Sequence, residues 1–495
     1  MQGDFFMKLW KQLLFGLLFI LMILPSIQRE FKLVEEKPLQ GAFRQTAAPD
    51  FDSLSWESWK SGEFQQEYSD RLEAHIGFHN SLLRFYHQLN FSLFHEAKAE
   101  GVIAGKNGEL FEEDYIKAWM GEYYIGESVW QNKAEKLKAI QDTLRKLGKS
   151  FFIILEPGKG SLYPQRFPNK YKPSDKNVSN YDVLTKYLKH FEVNTLDLNT
   201  CFIDWKDTST YRLFPRGGTH WSYYGAALAA DTMIDYLQNL HGLGIPEMEI
   251  LQLEKREKIR HPDDDIWLAM NIIEEVPADD LIYPKIAFDE TTNPSHKALF
   301  VGDSFYFNWQ SESIMHDAFA DCNFWYYNKQ VWNRAGVEAG TVDELNFADE
   351  IADADIIAIM ITERFHQNFA WNFDEQLFDY YYDEAQNPIN YFANRVRINN
   401  EHFLRIYADA KAINMPLPDR IDKEAEFLLY EDYQLSPEKY QQVETAMIPI
   451  LMMSIRQSPE WLAKVKEKAE AQAIPLNEMI EMDAAWIYEN QNKEK

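Results

Sequence analysis

Cysteine is scarce in this sequence, and so is positive charge. The 495 residues include two cysteines, Cys201 and Cys322, which are too few and too far apart for a disulfide framework or a CxxC pair. Basic residues number 50 against 78 acidic ones, so the formal net charge is −28. Because such a surface repels the phosphates of nucleic acids, the composition excludes nucleic-acid binding as the main function.

The N-terminus carries a targeting signal. Lys8 and Lys11 border the apolar run LLFGLLFILMILP, a pattern typical of a secretory signal or an uncleaved signal anchor. With the residues before it, the run just reaches the roughly 20 residues that span a membrane. No small-x-small cleavage site follows, which favours an uncleaved anchor over residues 1–27; a cleaved signal, and hence a secreted protein, is the alternative. The positive-inside rule then places the main domain in the periplasm or otherwise outside the cytoplasm.

The rest of the chain divides by its texture. Hydrophobic residues make up 46% of it, enough for a folded core. Residues 28–60 are polar and contain Pro38 and Pro49, so they are predicted to be a linker. Residues 61–130 are predicted to be a helical and short-strand segment that packs on the core. Residues 131–385 read as an α/β domain, and residues 386–495 as a helical extension.

Short apolar runs in residues 131–385 alternate with helical patterns. The predicted strands are SFFIILE, VNTLDL, ALFVGDS, NFWYYN and DIIAIMIT. Strand and helix alternation predicts a mainly parallel sheet with helices on both faces. Ligands of such sheets bind at the carboxyl ends of the strands.

The motif FVGDSF lies at one of these strand ends. Gly302 permits a turn, Asp303 is placed to fix it, and Ser304 is exposed at the start of the following helix. The amides from Gly302 to Phe305 and the helix dipole are placed to stabilise a developing oxyanion. The alternative is an ordinary strand-to-helix loop with a serine cap.

The motif GGTHWSYYG places His220 just before another helical pattern. A serine nucleophile needs a base within hydrogen-bond reach, and imidazole has a suitable pKa. A lone histidine is more often structural, but pairing with the Gly-Asp-Ser strand end makes His220 a candidate base. Trp221 is placed either to stack on a sugar or to pack beneath the histidine.

Several motifs occur together over residues 60–385. They are RLEAHIGFHNSLLRFY, VIAGKNGELF, ILEPGKGSLYP, GTHWSYYG, FVGDSF and IIAIMITER. Together they resemble the alginate O-acetyltransferase family of SGNH-hydrolase-like proteins. The resemblance implies an SGNH-hydrolase-like (flavodoxin-like) fold with permuted motif order, since the histidine precedes the serine.

The resemblance also implies a function outside the cytoplasm. Ser304 would carry an acetyl group and His220 would move the protons as the group passes to hydroxyls of a cell-surface or exported polysaccharide. A membrane-bound O-acyltransferase would supply the acetyl group, and neither a cofactor nor a metal is expected in this chain. An acetyl esterase and a non-catalytic scaffold or glycan-binding protein are the alternatives.

One position departs from the family's Asp-x-His-Trp pattern. Gly218 stands where the aspartate would orient the histidine, and loss of that carboxylate is costly in a working triad. Another carboxylate or a backbone carbonyl substitutes, a Ser-His dyad operates, or the site only binds. Asp197, Asp204 and Glu363 are the candidate substitutes.

Three further residues are candidates for substrate binding. Lys159, in the loop PGKGSLYP, is placed to bind an anionic glycan or to cap its loop. Glu363 and Arg364 follow the strand IIAIMIT and are expected to line a pocket at the carboxyl edge of the sheet.

Overall fold

The computed structural model describes residues 2–41, 51, 54–276, 280–384, 387–440 and 443–493. The helices are α1 (Gln2–Phe31), α2 (Trp56–Ser61), α3 (Glu63–Ala74), α4 (His79–Phe94), α5 (Glu113–Met120), α6 (Glu127–Lys146), α7 (Lys159–Leu162), α8 (Asn180–His190), α9 (Leu198–Trp205), α10 (Tyr223–His241), α11 (Asp265–Ala269), α12 (Tyr306–Ser311), α13 (Ile314–Ala318), α14 (Phe347–Asp353), α15 (Phe373–Tyr382), α16 (Pro388–Ile398), α17 (Asn400–Ala412), α18 (Leu417–Leu435), α19 (Glu444–Gln457), α20 (Pro459–Gln472) and α21 (Leu476–Lys493). The strands are β1 (Val102–Ala104), β2 (Leu110–Glu112), β3 (Ser150–Glu156), β4 (Thr195–Asp197), β5 (Met248–Glu254), β6 (Tyr283–Phe288), β7 (Lys297–Gly302), β8 (Asp321–Tyr326), β9 (Gln330–Trp332), β10 (Glu338–Thr341) and β11 (Ile356–Thr362).

A seven-stranded sheet forms the centre of the fold, with the order β10-β9-β8-β7-β11-β3-β4. The ladder from β8 to β4 is parallel throughout. Every strand predicted within residues 131–385 lies in this parallel part, so the mainly parallel α/β sheet is confirmed. The antiparallel edge of β9 and β10 was not predicted, because these strands are short and lack a continuous apolar run.

Helices cover both faces of the sheet, as the sequence predicted. Residues of β3 and β11 are buried without exception, since successive side chains point to opposite faces. One core packs these strands against α10, α12 and α13. The other packs them against α6, α8, α14 and α15.

An antiparallel pair interrupts the α/β alternation between α10 and β7. Strand β5 pairs with β6, and the segment between them contains α11. This insertion was not predicted. It lies beside the carboxyl edge of the main sheet, because the amide of Trp267 donates to the carbonyl of Gly217 at 2.9 Å.

The N-terminal region begins with one long helix. Within the part of the chain that the structure describes, Leu9–Phe31 is the one helix long and apolar enough to cross a membrane. Helix α1 ends at Phe31, beyond the predicted limit at residue 27, and α2 begins at Trp56, inside the predicted linker. Further on, Lys106–Gly108 turns the chain between β1 and β2.

The C-terminal region from α16 to α21 is helical, as predicted, and has a hydrophobic core of its own. Helix α20 begins at a Ser-Pro pair. The hydroxyl of Ser458 accepts from the amide of Trp461 at the start of α20, with Pro459 in the first turn.

Candidate active site

Asp303 fixes the turn that carries Ser304. Its Oδ1 accepts from the amide of Phe305 at 3.1 Å. Its Oδ2 accepts from the amide of Thr362 at 3.1 Å and from the hydroxyl of Thr362 at 2.7 Å. The fully buried carboxylate thus ties the turn after β7 to the end of the neighbouring strand β11.

Gly302 is required by a close approach of strands. A Cβ at this position would lie 2.7 Å from both Cγ and the carbonyl oxygen of Met360 on β11. Any side chain there would push β7 away from β11 and move the serine turn.

His220 lies directly against Ser304. The distance from its Nε2 to the Oγ of Ser304 is 2.8 Å, and its side chain is 14% exposed. The ring packs against Phe305, with 5.0 Å between ring centroids. The structure therefore brings together two residues that lie 84 positions apart in the sequence.

Asp265 completes the arrangement on the far side of the imidazole. Its Oδ2 lies 2.7 Å from Nδ1 of His220. Its Oδ1 accepts from the amides of Thr219 at 2.8 Å and Ile266 at 2.6 Å. Burial alone would raise the pKa of Asp265, but the hydrogen bonds from His220 and the two amides lower it below its usual value. An ionised carboxylate so placed fixes the tautomer and tilt of the imidazole.

Sequence reasoning missed Asp265, and none of its candidate substitutes contacts His220. Asp197 caps α9 and accepts from the hydroxyl of Tyr181 at 2.7 Å. Asp204 is exposed on α9. Glu363 is buried at the end of β11. The one available signal was the acidic run DDD in the segment HPDDDIW, which ends at Asp265.

The insertion also explains Gly218. A Cβ at this position would lie 2.6 Å from Cγ of Pro215 and 2.8 Å from the carbonyl oxygen of Asp263. The segment that delivers Asp265 therefore occupies the space that a side chain at 218 would need. The carboxylate comes from a different part of the chain, and the glycine makes room for it.

Lys159 stabilises the loop before His220, residues 215–219, which we call the histidine loop. Its ammonium donates to the carbonyls of Pro215 at 2.6 Å, Arg216 at 2.8 Å and Gly218 at 3.0 Å, and its side chain is 1% exposed. Burial lowers its pKa to about 8. Its three N–H donors face loop carbonyls, which corrects the expectation of a glycan-binding lysine in favour of the loop-capping alternative.

Trp221 is a packing residue. It is fully buried. The distances between ring centroids are 5.1 Å to Phe305, 5.2 Å to Trp309 and 6.0 Å to Phe202. A sugar has no access to it, so of the two alternatives the structure favours packing beneath the histidine. Trp221 instead supports the residues beneath His220.

Glu363 and Arg364 differ sharply although they are neighbours. Glu363 is 4% exposed, and burial raises its pKa to about 7, so it does not line an open pocket. Arg364 is 14% exposed and forms an ion pair with Glu112. Glu112 also accepts from the hydroxyl of Thr219 at 2.8 Å, which links Arg364 to the histidine loop.

The described residues do not form a set of metal ligands. Across the described ranges, no three His, Cys, Asp or Glu side chains gather as a metal site would require. What the arrangement offers is nucleophile, base and orienting carboxylate in hydrogen-bonded sequence. That arrangement is the one used for acyl transfer through serine.

Comparison with protein families gives one match. Residues 102–269 match a family described as "SGNH hydrolase-like domain, acetyltransferase AlgX". The matched range contains His220 and Asp265 and ends before Ser304.

Two curated proteins are similar to the chain. The "Probable alginate O-acetylase AlgJ" of Pseudomonas aeruginosa is 23% identical over 266 residues, covering 53% of this chain and 64% of the relative. The protein of that name from Pseudomonas syringae pv. tomato is 29% identical over 149 residues, covering 29% of this chain and 35% of the relative. The chain therefore spans less than two thirds of either relative.

Solved structures with partial similarity include the O-acetyltransferase domain of Pseudomonas putida AlgJ, at 16% identity and a TM-score of 0.38, covering 56% of this chain and 99% of that one. Pseudomonas aeruginosa AlgX follows at 17% identity and a TM-score of 0.30, covering 53% and 54%. Bacillus cereus PatB1 with a sulfonyl adduct has 11% identity and a TM-score of 0.36, covering 55% and 99%.

Proposed function

We propose that the chain is an extracytoplasmic O-acetyltransferase, a proposal supported by the match of residues 102–269 to an SGNH hydrolase-like acetyltransferase domain and by the similarity to the curated relatives. It moves an acetyl group through a serine acyl-enzyme to hydroxyls of a cell-surface or exported polysaccharide. The observation that carries this proposal is the unbroken contact path from Asp265 through His220 to Ser304, at 2.7 and 2.8 Å.

The first half-reaction loads the serine. The Oγ of Ser304 attacks the acetyl carbonyl carbon of the donor while Nε2 of His220 accepts the hydroxyl proton. The carbonyl electron pair moves onto oxygen, and its return expels the leaving group of the donor, which takes the proton from His220. Asp265 stays ionised and stabilises the imidazolium between these two transfers.

The second half-reaction transfers the acetyl group from Ser304 to the acceptor. A sugar hydroxyl gives its proton to Nε2 of His220 and attacks the acetyl carbonyl carbon. The bond to Ser304 Oγ breaks, and the serine recovers the proton from His220. The same atoms therefore serve both directions, with the imidazole alternating between base and acid.

The oxyanion needs a donor that is not already engaged. The amide of Phe305 donates to Asp303, so it does not fulfil the oxyanion role expected of it. The amide of Ser304 itself is the donor that we assign to this position.

The source of the acetyl group is proposed to be a membrane-bound O-acyltransferase. Helix α1 supports this, since residues Leu9–Phe31 have the length and composition to anchor the chain beside such a partner. The main domain would then lie in the periplasm or otherwise outside the cytoplasm, facing the polysaccharide.

The proposal is tested on the purified full chain in detergent. A serine-directed fluorophosphonate and p-nitrophenyl acetate should each modify one serine, located by peptide mass spectrometry at Ser304. Ser304→Ala should lose the modification and lower turnover by a factor on the order of 10⁶. Ser174→Ala, which changes an exposed serine far from the site in the sequence, should leave both unchanged.

The alternatives predict other outcomes of the same experiment. Release of free acetate with no transfer to an added glycan would identify an esterase. No covalent modification of Ser304 by either reagent, in a chain that is folded by circular dichroism, would identify a non-catalytic scaffold and reject the proposed function.

A further inference from the structure

Aromatic residues gather at the ends of the two strands that flank β7. Tyr326 ends β8 and Tyr327 follows it, while Phe365 and Trp371 lie in the irregular segment after β11. We call these four residues the aromatic floor. Because Ser304 follows β7, the floor is built from both neighbours of the nucleophile's own strand.

The rings of the aromatic floor form a continuous surface. Centroid distances are 4.0 Å for Tyr326 and Tyr327, 4.9 Å for Tyr327 and Trp371, and 5.3 Å for Tyr327 and Phe365. All four residues are half-buried. The amide of Tyr327 donates to the carbonyl of Gly302 at 2.9 Å, two residues before Ser304.

The backbone beneath the floor is strained. Tyr327 has φ of 55° and Trp371 has φ of 48°, a left-handed conformation that bulky residues rarely adopt. Such strain clusters at ligand sites. Here it presents two large rings side by side at the edge of the sheet where ligands of α/β folds bind.

A cleft of about 710 Å³ lies beside the aromatic floor; Asn328, the residue after Tyr327, is part of its described lining, whereas the four floor residues are not. The side-chain amide of Asn328 donates to the carbonyl of Trp371 at 3.1 Å and to Gln376 at 2.8 Å, so it joins the wall of the cleft to the aromatic floor. Gln376 and Tyr380 contribute further polar atoms to the lining. Rings beside amide and hydroxyl groups suit the two sides of a sugar, its apolar face and its hydroxyls.

Acidic side chains dominate the charge of this cleft. Asp343, Asp379 and Asp383 line it, and Lys329 is the basic residue among the described lining. Asp343 and Asp379 are exposed. A polyuronate brings one carboxylate for each sugar, and like charges at short range repel. Alginate is such a polyuronate, and so the cleft disfavours the polymer for which the curated relatives are named.

We infer that the aromatic floor, with this neighbouring cleft as its continuation, binds the acceptor, and that the acceptor is a glycan without carboxylate groups, stacked on the floor with a hydroxyl presented to Ser304. The inference rests on the proposed function, because it names the acceptor of the same site. It adds what that function leaves open: the chemical class of the polysaccharide and the surface that selects it.

Binding is measured on full-chain Ser304→Ala in detergent, so that no turnover is needed. The probes are hexasaccharides: neutral β-glucan, β-mannan and β-N-acetylglucosamine, against polymannuronate, polyguluronate and polygalacturonate. At least one neutral hexamer should bind about tenfold more tightly than any uronate. Tightest binding by a uronate, or no binding by any neutral hexamer, overturns the inference.

Variants locate the binding surface. Trp371→Asn and Tyr327→Asn, which place a residue tolerant of left-handed φ at each position, should weaken neutral-hexamer binding about three- to tenfold. Trp486→Ala, at an aromatic residue that is 66% exposed in α21, should leave binding unchanged. Equal binding by the floor variants and the parent contradicts the inference.

A charge variant tests the selection itself. Asp343→Asn combined with Asp379→Asn should raise uronate affinity severalfold and leave neutral binding unchanged; no gain contradicts the role given to the acids. Fluorophosphonate modification of Ser304 is read separately. Intact modification with failed selectivity rejects this inference alone, whereas intact binding with no modification rejects the proposed function.

Discussion

Asp265 and Glu363 are both largely buried carboxyl groups near the serine turn, yet their surroundings give them opposite character. Asp265 accepts from His220 and from two backbone amides, and its pKa is lowered. Glu363 has one oxygen without a hydrogen-bond partner among the described residues, and burial raises its pKa to about 7. Hydrogen-bond donors, not depth, decide which of the two can stay ionised and orient an imidazole.

The difference follows from where each residue sits. Glu363 directly follows β11, whose last residue, Thr362, is paired with Glu156 of β3 in the ladder. Asp265 begins α11 in the insertion, where unpaired amides are available. The insertion at the edge of the sheet therefore supplies the free backbone amides that the strand ends lack.

The largest expected effect comes from removing the charge of Asp265, the carboxyl group that stays ionised. Asp265→Asn should lower kcat for acetyl transfer by a factor of about 10³–10⁴, because the imidazole loses its fixed tautomer. Glu363→Gln should leave kcat within a few fold. Steady-state kinetics with p-nitrophenyl acetate checks both, and equal losses in the two variants would erase the distinction between them.

Moving the carboxylate back to the family position should fail. Gly218→Asp should destabilise the fold by about 3 to 5 kcal/mol, because its Cβ meets Pro215 and the backbone of Asp263 and its charge lacks donors. In an Asp265→Asn background it should restore no activity. Thermal unfolding followed by circular dichroism gives the first quantity. Recovery of kcat in the double variant would show that the insertion is dispensable.

The pH dependence of stability also distinguishes Glu363 from Asp265. The folded protein keeps the proton of Glu363 up to a pH of about 7, whereas the unfolded chain releases it near the ordinary value of 4.5. Between these values the unfolded state binds fewer protons, so the free energy of unfolding falls as pH rises. Glu363→Gln should remove this loss, a gain of roughly 3 kcal/mol at pH 8 relative to pH 4.

Urea unfolding of the parent and Glu363→Gln at both pH values isolates that contribution. Asp265 contributes with the opposite sign, because its lowered pKa stabilises the folded state above the unfolded pKa and the effect is lost as pH falls. A stability difference between parent and Glu363→Gln that does not change with pH contradicts the assignment of a protonated Glu363.

The smallest effect concerns the support of Asp265. Thr219→Val removes the hydroxyl that donates to Glu112 but keeps the amide that donates to Asp265. We expect kcat to fall about fivefold, equivalent to about 1 kcal/mol. Thr219→Ser keeps the hydroxyl and should behave as the parent; a loss in Thr219→Ser equal to that in Thr219→Val would show that packing of the methyl group matters instead.

The sequence predicted the parts whose signals are local. Buried parallel strands such as β3 and β11 read as continuous apolar runs, because helices cover both of their faces. Ser304 and His220 stood out because each lies in a short motif at the boundary of an element. Their pairing in space followed from the resemblance together with the rule that ligands meet the carboxyl ends of parallel strands.

Asp265 lacked any such local signal. It lies 45 residues from His220, in an insertion whose antiparallel strands have mostly exposed or half-buried residues. The burial of Lys159 and Trp221 was also beyond local reasoning, since the loops that cover them come from distant stretches. Long-range placement of a loop over a sheet edge has no periodicity for a sequence to display.

Gly218 has a consequence for reading genomes. A sequence search that requires an acid two positions before the histidine would classify this chain as inactive. Yet Oδ2 of Asp265 lies 2.7 Å from Nδ1 of His220. The informative signature is a paired change, a small residue at the motif position together with an acidic insertion before the serine strand. Surveys that score the two together would find other chains in which an acid from such an insertion lies beside the histidine.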